Sequence, residues 1–187
     1  MLFRSTGNVV DVIDGVEVTC VDNGMPVVVL RASDVGVDGD ESCEDLESNT
    51  AMRERVEHIR LLAGPMMNLG DVAKLTVPKM TLVSRPRLGG TLMTRSFIPH
   101  RCHDAIGVLG AVSVATAALA GSGPAAEVAV LDSENPSRVV VEHPTGTLDA
   151  VVELRRDGGV LHAERSGIVR TTRKLMDGTV YPRDRKS

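Results

Sequence analysis

Five consecutive residues, His100-Arg101-Cys102-His103-Asp104, concentrate more potential chemistry than any other stretch of the sequence. If they open a helix, they stand beside unpaired backbone N–H groups and roughly half a positive charge. One Arg and two His at such an end suit a carboxylate or a phosphate. The same surroundings favour a thiolate, which would lower the pKa of Cys102 and make it a candidate catalytic thiol. A plainer reading serves the same residues: Asp104 as an N-cap, His100 and His103 as surface groups, and Cys102 as an inert thiol. Spacing alone leaves both readings open. A second polar stretch runs from Asp34 to Glu47 through Asp38, Asp40, Glu41, Glu44 and Asp45. Its spacing does not follow the calcium-loop pattern, so it reads as a solvated loop with no metal site.

The element that must hold the first stretch follows it directly. From Ala105 to Ala120 there is no charge and no proline, and Gly107, Gly110, Ala111, Ser113, Ala115, Ala117 and Ala118 place small residues on every side. A helix apolar all round is buried all round. This one is too short and too rich in Ala and Gly for a span of about 20 strongly apolar residues, so no membrane is expected. The expectation is a central helix at about 103–120, with strands packed so closely that only small side chains fit.

Strands are read at 16–21, 27–30, 78–84, 92–98, 139–142, 148–154, 160–169 and 178–181, from alternation or apolar runs bounded by turns. Asp22-Asn23-Gly24-Met25-Pro26 and Asp157-Gly158-Gly159 are strong turn signals. One amphipathic helix, capped by Asn49 or Thr50 and closed by Gly64-Pro65, places Met52, Val56, Ile59, Leu62 and Ala63 inside, with Arg53, Glu54, Glu57 and Arg60 outside. The order implies an α+β fold: a curved mixed β-sheet, a partly open barrel, wrapped around a central buried helix.

Composition narrows the function. The chain has 28 Val against two Phe, one Tyr and no Trp, so its core is aliphatic and strand-forming. A net charge of −4, with no basic face and no stacking platform, argues against nucleic-acid binding. Cys20, Cys43 and Cys102 lie far apart in sequence with no C-x-x-C, which suggests neither disulfides nor zinc and fits a reducing cytoplasm. The first residues carry no apolar signal-peptide core, and strand patterning starts almost at once, as if the chain began inside a larger protein.

Several ordered segments carry a family resemblance: Ser5–Asn8, Val18–Ala32, Val77–Ser84, Phe97–Ala117, His143–Gly146 and Arg170–Tyr181. Together they resemble the methylaconitate isomerase and 4-oxalomesaconate tautomerase family, and Pro99-His100-Arg101-Cys102-His103 is nearer the tautomerase branch. The resemblance covers nearly the whole chain. It implies a fold similar to diaminopimelate epimerase, with two lobes, each a sheet about a central helix, and substrate between the helix N-termini. It further implies cofactor-free 1,3-proton shifts in a small unsaturated polycarboxylate. Residues 1–187 resemble a single lobe, the second. The family's catalytic Lys and Cys belong to the first lobe, and neither Lys79 nor Cys102 stands for them.

Carried over by position, His103 is the expected substrate contact in both branches, and His100, Arg101 and Cys102 match the tautomerase branch. Asn23, Gly24 and Met25 match the loop that approaches the ligand with its backbone. Arg170 and Arg173 fall in a motif without an assigned role. The implied partner is a first lobe, or a second copy in a homo-oligomer. A noncatalytic anion-binding or assembly lobe, a 2-methylaconitate isomerase-type activity and an amino-acid epimerase are the alternatives.

Overall fold

The computed structural model describes residues 6–158 and 160–181. Eight strands form one mixed sheet in chain order: β1 (Asp11–Ile13), β2 (Val16–Asp22), β3 (Pro26–Arg31), β4 (Lys79–Ser84), β5 (Leu92–Phe97), β6 (Arg138–His143), β7 (Gly146–Asp157) and β8 (Val160–Ile168). β3 pairs with β4, and β5 with β6, in parallel, and the other neighbours are antiparallel. No pairing joins β8 to β1 among the described residues, so the sheet stays open. The helices are α1 (Cys43–Ser48), α2 (Thr50–Met66), α3 (Val108–Ala118) and α4 (Pro124–Val128). None of them is long and apolar enough to cross a membrane.

Both faces of the sheet are covered, which is why β3 reads as an unbroken apolar run rather than an alternation. Val28 and Leu30 pack with Met80, Leu82 and the buried face of α2, while Val27 and Val29 pack with Val83 and α3. α2 buries Met52, Val56, Ile59, Arg60, Ala63 and Gly64. α3 lies against β2, β3, β6, β7 and β8, and Gly110 to Ala118 are all buried in it. A helix enclosed on so many sides leaves room only for Ala, Gly, Ser, Thr and Val, as α3 shows. The curved mixed sheet about a buried helix is therefore observed.

Six details differ from the sequence reading, the first being Leu62, expected inside α2 and exposed. The central helix begins at Val108, not near residue 103, because the chain first bends back along β5. The acidic stretch is not all loop: Ser42 caps α1 by accepting from the Asp45 N–H at 3.0 Å. Glu41 accepts from the Asp38 and Gly39 N–H groups, and Arg87 pairs with Asp40. Arg60, read as exposed, is fully buried; it meets Glu57 at 2.7 and 2.8 Å and the Val72, Leu75 and Val77 carbonyls at 3.1–3.3 Å. Periodicity cannot anticipate a guanidinium held between a carboxylate of its own helix and the carbonyls of a neighbouring loop. Finally, α2 continues through Pro65 to Met66, and residues 178–181 form no strand: none of the described strands pairs with them, and Val180 and Tyr181 are exposed.

Candidate functional site

Phe97 ends β5, and the chain reverses through Pro99 and His100. The Ile98 N–H donates to the Arg101 carbonyl at 3.0 Å, the His103 N–H donates to the Ser96 carbonyl at 2.8 Å, and Cys102 bridges Phe97. His100, Arg101, Cys102 and His103 thus stand on a bend, not on the first turn of a helix. The bend leans on the α1–α2 layer. His100 Nδ1 lies 3.6 Å from Glu57 Oε2, and Glu47 Oε1 accepts from the Cys102 N–H at 3.0 Å and lies 3.8 Å from Arg101 Nε. A cleft of about 520 Å³ separates α1 from the bend; Cys43, Glu44 and Glu47 form one wall, and Arg101 to Asp104 form the other.

The expected anion site at this stretch meets two corrections. Four backbone donors along it, those of Ile98, Cys102, His103 and Ala105, are already engaged, the last of them with His103 Nδ1 at 3.1 Å. Cys102 is 8 % exposed and packs with the α2-side core. Its Sγ lies 3.0 Å from that of Cys43. Burial, then the hydrogen bond to Cys43, push its thiol well above the usual range, so it does not present a thiolate at neutral pH. The lowered pKa expected at the start of the central helix is absent because Cys102 lies on the bend before α3 and is buried.

The chain then crosses from the α2 side at Cys102 to the α3 side at Ile106. Here the free donors are found. Gly107 occupies the N-cap of α3 in an extended conformation, with no side-chain cap, and Gly107, Val108 and Leu109 are exposed. Such an end carries unpaired N–H groups and partial positive charge. The β2–β3 turn lies against it: Gly24, at φ 96°, is so close that a Cβ would stand 3.3 Å from Leu109 Cδ2. A positive φ and that approach both favour glycine.

Asn23 and Met25 hold this turn rather than face solvent. Asn23 Nδ2 donates to Thr116 Oγ1 and Ser166 Oγ, both at 2.9 Å, its N–H donates to Ser113 Oγ, and Ser113 Oγ donates to the Met25 carbonyl. Of the three, Gly24 is the exposed residue.

Two elements quoted in the sequence only as motifs meet beside Ala105 and Ile106. His143, Thr147, Asp149 and Arg170 line a depression of about 310 Å³ there, and Thr145 Oγ1 donates to the Asp104 carbonyl at 2.8 Å. Burial holds the His143 imidazole below its ordinary pKa, against hydrogen bonds to the Asp104 and Thr147 backbone. Arg173 is exposed further along the chain. Reasoning on spacing missed His143 and Thr145; the signal was their place in one of the shared motifs.

The comparisons with known proteins agree with this architecture. The sequence is 55% identical over 175 residues to a 4-oxalomesaconate tautomerase of Pseudomonas putida, covering 94% of this chain and 47% of that protein. It is 52% identical over 176 residues to a (4E)-oxalomesaconate Delta-isomerase of Novosphingobium sp., covering 94% and 48%. The chain thus spans about half the length of the curated relatives it matches. A crystal structure of a methylitaconate-delta-isomerase shares the fold with a TM-score of 0.76 at 20% identity, covering 89% of this chain and 51% of that one. The family match extends over residues 2–183, and the chain belongs to the PrpF protein family.

Proposed function

We propose that this chain is the carboxylate-binding lobe of a 4-oxalomesaconate tautomerase-type isomerase. The observation that carries the reading is its 52–55% identity, across nearly its whole length, to two proteins of that activity. The open first turn of α3 supports a place for the substrate in this reading. A carboxylate of an unsaturated polycarboxylate sits at the uncapped start of α3, with the Gly24 turn on one side and His103 and Arg170 on the other. Arg101, exposed on the bend, adds positive charge at the rim.

The reaction is a 1,3-proton shift. A base removes a proton from the carbon beside a carbonyl or carboxylate, the charge spreads over a dienolate, and an acid returns a proton to the far carbon. Helix N–H groups stabilise charge that develops on a carboxylate oxygen in the dienolate. The buried, protonated Cys102 is not suited to be the base. Proton transfer falls to groups outside this lobe, in a first lobe or a second copy that completes the site.

The test uses the purified chain. Citrate, as a stable tricarboxylate, should raise its melting temperature by mass action, and His103→Ala should reduce that shift with the fold intact. Turnover of 4-oxalomesaconate, followed by ultraviolet absorbance, should be negligible. An ordinary rate of about 1–10³ s⁻¹ from the monomeric chain would overturn the need for a second lobe. No citrate shift at all would overturn the binding assignment.

A further inference from the structure

We propose that Cys43 and Cys102 are a redox modification site: an oxidisable thiol pair that closes to an intramolecular disulfide and locks α1 onto the bend. The two residues are 59 positions apart in sequence, yet their Sγ atoms stand 3.0 Å from each other. A disulfide bond measures about 2.05 Å, so closure asks for a shift of about 1 Å. Both backbones are held for it. Cys43 is the first residue of α1, whose Ser42 cap fixes that turn, and Cys102 is pinned by its bridge to Phe97 and by the Glu47 carboxylate on its N–H.

Among the described residues the one cluster whose ligand atoms converge is Asp38, Asp40 and Glu41, which includes neither sulfur. The position of the pair gives the bond a consequence. Cys43 belongs to one wall of the 520 Å³ cleft and Cys102 to the other, so the bond would fix the distance between the walls.

The reaction balances with a small-molecule disulfide such as oxidised glutathione. The thiolate of Cys43, the more exposed of the two, attacks one glutathione sulfur and releases one glutathione thiolate, leaving a mixed disulfide. Cys102 then loses its proton and attacks the Cys43 sulfur, displacing the second glutathione. Two protein thiols are oxidised, and one oxidised glutathione is reduced to two thiols. Cys20 serves as an internal control: it is 1 % exposed, and burial pushes its thiol up to about 12.

The experiment equilibrates the purified chain with oxidised and reduced glutathione, quenches in acid, and alkylates under denaturing conditions. Alkylatable thiols should fall from three per chain to one, independently of protein concentration, and dithiothreitol should restore all three. Peptide mapping should join the segments that contain residues 43 and 102. Cys102→Ser should stop at a mixed disulfide on Cys43, Cys43→Ser should keep its two buried thiols unmodified, and hydrogen exchange across 43–48 should slow only in the oxidised native protein. Three thiols persisting in an excess of oxidised glutathione would overturn the proposal. Cross-links between chains, or a bond involving Cys20, would overturn it as well. None of these readouts depends on substrate, so they stand or fall apart from the functional reading above.

Discussion

The bend at 98–105 and the start of α3 are a few residues apart in sequence and opposite in state. On the bend, the N–H groups of Ile98, Cys102, His103 and Ala105 all have acceptors within the protein. At α3, Gly107 offers no side-chain cap, and the first turn is open. The bend also carries Glu44, Glu47 and Asp104 around its cleft, so a polycarboxylate would meet like charge there. Beside α3, Asp149 is held by Arg138, while His143 and Arg170 face the same depression. The cationic residue types lie in both regions, and it is the uncapped helix start that favours α3 as the proposed anion site.

The largest expected effect comes from disturbing the bend. Glu47→Ala removes the acceptor for the Cys102 N–H and the partner of Arg101. The loss should destabilise the chain by about 1 kcal/mol, measured by urea unfolding. It should also leave the bend a better place for citrate, now with a free donor and a free cation. Unchanged stability would mean that the bend is held by its bridge to Phe97 alone.

Next in size is Gly107→Asp at the helix. A Cβ at Gly107 meets nothing within 4 Å, and its extended backbone suits an N-cap. The new carboxylate should cap α3 and stabilise the fold by about 0.3–1 kcal/mol. It should also abolish the citrate-induced rise in melting temperature. A stabilised variant that still responds to citrate would move the site away from α3.

The smallest effect is a pH slope from His143. Its folded pKa lies below the ordinary 6.5, so between the two values the unfolded chain binds more protons. Stability therefore rises with pH through that window and falls as pH drops through 6.5. His143→Gln should flatten this part of the profile in thermal melts across pH 5 to 7. An unchanged profile would show that the imidazole is as free in the fold as in the unfolded chain.

Much of the fold is legible from local pattern. The β2–β3 and β7–β8 hairpins follow from their Gly-containing turns, α2 from its Asn49 cap and its 52–56–59–63 face, and the burial of α3 from its small residues. The three-residue β1 escaped notice because it is too short to show a period, as did α1 within its acidic run. Of the proposed site, the sequence shows the residues but not their arrangement. His103, Gly24 and the apolar helix are readable, while the helix starts at Val108 rather than near residue 103, because sequence does not show that Phe97 turns back to pair with Cys102.

By itself the sequence determined what short-range sterics and hydrophobic periodicity determine: the strands, the turns, the apolar helix and, through shared motifs, the family. Only the tertiary structure decided which polar groups stay free. It took up four backbone donors of the bend, buried Arg60 against a loop twelve or more residues away, and set Cys43 against Cys102. Hydrogen bonds and sulfur contacts between distant segments form when the sheet closes over its helices, and no local pattern encodes which partners will meet.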